Sequence, residues 1–238
     1  MMRVYSCVVS GSSALYLVDA LRGWLPRDLD LYVPWRHFWA VVNHIIQRHN
    51  ATIEFSRGQY YHCKGFSHLV RLRTPRGVIE VIRSMRETAL YPICFFWSTL
   101  LMNYFSADAF CVAYPVLTFQ RRGLYYSYNM HPKTKQALEK YTEARGFQLA
   151  ESAREWGDMD LARNPGCLEE EFLCVQKTQF FGDQGCFNGR FDTEGEAHLA
   201  TEGGGNALTA MWVFGGLPCG GDCLEGTEAK AEVAVVVM

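Results

Sequence analysis

Residues 27–34 read RDLDLYVP, and two of these eight side chains are out of place. Leu29, Leu31, Tyr32 and Val33 read as a strand heading into a core, stopped by Pro34. Asp28 and Asp30 interrupt it. Aspartate is depleted in strands, and a core-bound carboxylate needs a hydrogen bond, a counter-charge or a metal. Side chains two apart on a strand point to the same face, so the two acids converge on one point. Paired carboxylates repel unless a cation sits between them. A hard, oxygen-seeking ion such as magnesium answers that need and usually brings phosphate with it. A third carboxylate helps to hold two such ions. Glu80 qualifies: it is the one acid in GVIEVIR, residues 77–83, a second apolar strand with the same anomaly.

The other half of such a site lies upstream, in VVSGSSAL, residues 8–15. It reads as strand, then Gly-Ser, then helix. Gly11 has no side chain, so backbone approaches a phosphate closely there. The free amides of the helix start and the hydroxyls of Ser12 and Ser13 are donors for phosphate oxygens.

In this order, SGSSAL, RDLDLYV and VIEVI resemble the nucleotidyltransferase superfamily, the fold shared with polymerase-beta-like enzymes. The run STLLMNYFSADAFCVAYPVLTFQRRG resembles a group of mostly uncharacterised fungal proteins with this fold. The resemblance covers roughly residues 1–125. It implies that Gly11 and Ser12 bind a triphosphate, that Asp28 and Asp30 ligate two magnesium ions, and that Glu80 is the third catalytic carboxylate. It implies a nucleoside triphosphate as substrate and leaves the acceptor open. Nucleic acid is admitted as a partner, but no feature of the sequence argues for it. The competing reading is a strand edge whose acids are merely solvated.

The chain has 238 residues and a formal net charge of −2. That balance hides a split. Residues 1–150 hold 18 Lys and Arg against 9 Asp and Glu, and residues 151–238 hold 5 against 16. A basic first part suits a phosphate-bearing ligand, and an acidic remainder suits a solvated tail or a cover. Fourteen of the 21 glycines also fall after residue 150. The expected organisation is therefore a nucleotidyltransferase-like α/β domain over 1–150, a mixed sheet flanked by helices, and a Gly-rich acidic tail over 151–238, largely irregular or disordered.

Nine cysteines at irregular spacing, with no secretory leader, read as free thiols in an intracellular protein, cytoplasmic or nuclear. Cys219 and Cys223 lack two well-spaced companions for zinc. The weakly charged stretch 88–120 is broken by Pro92, Asn103 and Asp108, so it reads as buried strands and not as a membrane span. Strands are expected at 4–9, 28–33, 53–55, 60–64, 69–73, 78–82, 100–105 and 110–114, and helices at 13–21, 35–49 and 134–145. Arg71, Arg73 and Arg76, in RLRTPR, and the pair Arg121–Arg122 read as solvated strand or turn positions, with contact to phosphates as the alternative. With all three carboxylates present, the expected activity is metal-dependent nucleotidyl transfer. The alternative is a catalytically inactive binding module of the same fold.

Overall fold

The computed structural model describes residues 1–21, 23–58, 64–126, 130–157, 172–191, 208–216 and 231–237. Strand β1 (Val8–Ser10) runs directly into helix α1 (Gly11–Val18). Strand β2 (Asp28–Val33) ends at Pro34 and leads through a 3-10 turn into helix α2 (Phe38–His49). Three antiparallel strands follow: β3 (Thr52–Gly58), β4 (Phe66–Thr74) and β5 (Gly77–Ser84). After a stretch of 3-10 turns come β6 (Asn103–Phe105) and β7 (Ala109–Val112). A small parallel pair, β8 (Arg122–Leu124) and β9 (Gln148–Ala150), brackets helix α3 (Pro132–Glu139). The remaining strands are β10 (Thr178–Phe180), β11 (Phe187–Arg190), β12 (Leu208–Val213) and β13 (Glu232–Val237).

The main sheet has eight strands in the order β11-β7-β6-β1-β2-β5-β4-β3. All neighbours are antiparallel except β2 and β5, whose parallel pairing closes a crossover through α2 and the β3-β4 hairpin. This is an α/β mixed sheet flanked by helices.

Helix α2 forms because Phe38, Val41, Val42 and Ile45 fall at helical spacing and all are buried. Asn50, at φ 49, closes it in the left-handed conformation that asparagine tolerates. Its apolar stripe covers Leu31, Val33, Val70, Leu72 and Val81 on one face of the sheet. The opposite face carries Val8, Tyr32, Leu69 and Ile82, which pack with Met102, Tyr114 and Trp212 in a second core. The period-2 alternation then decides the site. Asp28 and Asp30 share a face with Tyr32, and Glu80 shares it with Ile82. One end of this face is core and the other end is polar.

Several expectations need correction. The first strand begins only at Val8, because Met2–Tyr5 is a helical turn ended by Ser6 at φ 50. The expected strand at 100–105 is shortened by a 3-10 turn, Thr99–Leu101, capped by the Ser98 hydroxyl. The expected strand at 60–64 lies almost wholly outside the described residues.

The boundary at residue 150 does not separate two packing units. β11 joins the main sheet beside β7, and Leu173, Cys174, Val175, Phe181, Trp212 and Phe214 are buried in the same core as Tyr114. The glycines and acids of the tail dominate its composition, and they hide short apolar runs such as 172–175 and 210–214. Residues 158–171, 192–207 and 217–230 lie outside the described residues, and Cys219 and Cys223 with them. Among the described residues, no helix is long and apolar enough to cross a membrane.

Candidate active site

The site begins where β1 becomes α1. Gly11 adopts φ +65, and a Cβ built there would lie 2.6 Å from Asp30 Oδ2. Only glycine accepts that backbone and that approach together. Ser10, fully buried, donates its hydroxyl to the Asn103 carbonyl at 2.6 Å and ties β1 to β6. Ser13 donates to the Asp28 carbonyl at 2.9 Å. Its hydroxyl thus fixes the helix against β2, which leaves it poorly placed to donate to a phosphate. Ser12 is half-buried, and its hydroxyl has no hydrogen-bond partner among the described residues.

The three predicted carboxylates lie on one face of two neighbouring strands. Asp30 stands opposite Glu80 in the parallel β2-β5 register, and Asp28 is two residues back on the same face. Burial pushes the Asp30 carboxyl well above the usual carboxylate range. The charges of Asp28 and Glu80 push it further, while Arg71 and Lys140 pull it back. Among the described residues the Asp30 side chain has no hydrogen-bond or ion-pair partner.

A cation of the chain itself pairs with two of the three acids. Arg71, opposite Glu80 in the β4-β5 hairpin, donates through Nη1 to Glu80 Oε1 and reaches Asp28 Oδ2 at 3.3 Å. Its Nε donates to Glu54 Oε2 at 3.0 Å, and Arg73 Nε donates to Glu54 Oε1 at 2.6 Å. Arg71 is therefore no solvated strand position. The missed signal was the TPRG turn: Thr74 pairs with Gly77, so counting outward brings Arg71 level with Glu80. Among the described residues, no three acid, histidine or cysteine side chains are gathered as a ready metal cage. What the geometry presents is a carboxylate cluster partly neutralised by a guanidinium.

A second basic element approaches from the segment after α3, a π-helical turn over Lys140–Ala144. Burial, then Arg145 and Arg27, holds the Lys140 ammonium below its ordinary range, while Asp28 and Asp30 act in the opposite sense. Lys140 thus lies within electrostatic reach of both aspartates. Next to it, the Tyr141 phenol is pushed up to about 12, mainly by burial.

Aromatic stacking and ion pairing hold this segment in place. The Arg145 guanidinium, in a residue only 7% exposed, lies 3.8 Å from the Trp24 ring centre and 4.4 Å from that of Tyr141. Arg121 pairs with the buried Asp19 at 2.6 Å and donates to the Arg145 carbonyl, and Trp24 Nε1 donates to Asp19 at 2.8 Å. The amphipathic pattern of 134–145 announces a helix but does not say which of its lysines meets the acids.

The chain matches no family model. No curated protein matches it. Among solved structures, one described as a tRNA-processing enzyme in an apo form aligns at 13% identity, with a TM-score of 0.45. The alignment covers 63% of this chain and 40% of that enzyme, so this chain spans well under half of its length. A likeness this slight carries no argument about activity.

Proposed function

We propose that this chain binds a nucleoside triphosphate with magnesium and transfers its nucleotidyl group to a hydroxyl acceptor. The observation that carries the reading is the Asp30 carboxylate. It is pressed against the glycine that opens α1, lies beside Asp28 and Glu80, and has no partner among the described residues. A carboxylate in that position is stabilised by a cation, and its oxygen chemistry fits a divalent ion. Asp28 and Asp30 would hold the metal. Glu80 would join only by releasing Arg71. A bound divalent ion would activate the acceptor hydroxyl and neutralise the leaving pyrophosphate.

The chain's own groups supply the rest. The amides at the start of α1, with Gly11 and Ser12, would donate hydrogen bonds to phosphate oxygens at the positive end of the helix dipole. Lys140, within electrostatic reach of the two aspartates, would counter the charge of the same phosphates. Arg71, once displaced from Glu80, is the second cation within reach.

A specific observation also favours the second reading, a non-catalytic binding module: Arg71 already occupies the carboxylate gap. One experiment separates them. The full chain is melted with each nucleoside triphosphate, with and without magnesium, and pyrophosphate release is measured in parallel. A magnesium-dependent rise in melting temperature, lost in Asp28→Asn and Asp30→Asn, together with pyrophosphate release, supports the transferase. The same rise without release supports the binding module. No nucleotide-dependent shift refutes both.

A further inference from the structure

Helix α2 leaves part of the sheet's reverse face uncovered. Past its C-terminal end lies a cavity of about 640 Å³, within the size range of small-molecule sites. Its floor is Val9, Leu29, Leu31 and Ile79. These side chains alternate along their strands with Ser10, Asp28, Asp30 and Glu80, so the cavity lies directly behind the carboxylate cluster, across the thickness of one sheet. Leu29 is 37% exposed although β2 is paired on both sides, which is an unusual degree of wetting for a leucine on an inner strand.

The rim has one sign of charge. Arg48 comes from the last turn of α2 and Arg76 from the β4-β5 turn, and among the described residues no carboxylate lines the cavity. Among the described residues neither guanidinium has an ion-pair or hydrogen-bond partner. The floor offers no side-chain hydrogen-bonding group; the cavity's lining also includes His49, Asn50 and Thr74.

We propose that this cavity is a binding site for an amphipathic anion: an acyl chain seated on Val9, Leu29, Leu31 and Ile79, with its carboxylate or phosphate head between Arg48 and Arg76. The site stands on its own geometry and does not depend on the nucleotide reading. The test is isothermal titration of the full chain with decanoate, decyl phosphate and decylammonium. One saturable site for an anion is expected, and the better-bound head identifies the natural one. Decylammonium, with the same chain and the opposite charge, should bind at least tenfold more weakly. The R48E/R76E double variant changes only exposed side chains; the acid in the last turn of α2 should lower its melting temperature slightly, while anion affinity falls at least tenfold. A Leu29→Glu variant, with a carboxylate in the floor, should lose anion binding as well. Absence of saturable binding by either anion overturns the proposal. So does equal affinity for decylammonium, or unchanged affinity in a folded R48E/R76E variant.

Discussion

Gly11→Ala isolates the contact on which the carboxylate cluster is built. The substitution adds one methyl group at φ +65, with Asp30 Oδ2 only 2.6 Å from the new carbon. Holding alanine in the left-handed region costs about 1–2 kcal/mol. The carboxylate must also retreat by several tenths of an ångström, and pushing a side chain off its rotamer costs about 0.5–1.5 kcal/mol. Alanine's stiffer unfolded chain offsets about 0.4–1 kcal/mol. The net loss should be about 2 kcal/mol, read as a lowered urea midpoint at unchanged slope. The two contributions separate in an Asp30→Ala background. There the oxygen is gone and the remaining Cβ lies at 3.8 Å, an ordinary contact. Gly11→Ala should then lose only its backbone share, leaving a coupling of about 1 kcal/mol between the two positions. Equal costs in the two backgrounds would refute the close approach. A Gly11→Ala cost under about 0.5 kcal/mol would refute the left-handed backbone as well.

Other perturbations test the surroundings of that contact. Because the folded-state Asp30 carboxyl is raised, the native chain holds its proton longer than the unfolded chain, and stability is lost as pH rises from the ordinary carboxylate range through the raised value. In metal-free buffer Asp30→Asn should therefore be more stable than wild type at neutral pH, with the gap closing below about pH 4; a gap that does not change with pH counts against the burial of this charge. Arg71→Met removes the guanidinium shared by Glu80 and Asp28, whose side chains are 19% and 26% exposed, between the surface and buried limits. It should cost about 1–2 kcal/mol in chemical denaturation, with magnesium restoring part of the loss; magnesium without effect would argue that the carboxylates hold no metal. Trp212 is 1% exposed, stacks near Phe181 and donates to the Tyr114 hydroxyl at 3.0 Å. Trp212→Ala should cost about 3–5 kcal/mol and truncation after residue 150 should abolish cooperative melting; a stable truncated domain would show that the later strands are dispensable.

The local half of this protein was legible in its residues. The alternation of RDLDLYVP places Asp28 and Asp30 on one face, Pro34 marks the strand's end, and Gly11 marks the tight turn into α1, because side-chain direction, φ restriction and steric freedom are properties of a few adjacent residues. Helix α2 announced its buried face in the same way, through Phe38, Val41, Val42 and Ile45. Glu80 stood out as a lone acid in an apolar strand, yet its place opposite Asp30 depends on the parallel pairing of β2 with β5, whose sequences do not specify which strands become neighbours. The same limit hid Lys140, whose approach to the aspartates is set by Arg145 stacking on Trp24 and by Arg121 pairing with Asp19 far along the chain. It hid the burial of Trp212 within a Gly-rich, acidic tail. Arg71 lies between the two cases: its register was countable from the turn at 74–77, but only the packed sheet shows Glu54, Glu80 and Asp28 around its one guanidinium. Local sterics are written residue by residue, whereas counter-ions, strand partners and cavities arise from long-range packing that no short stretch of sequence contains.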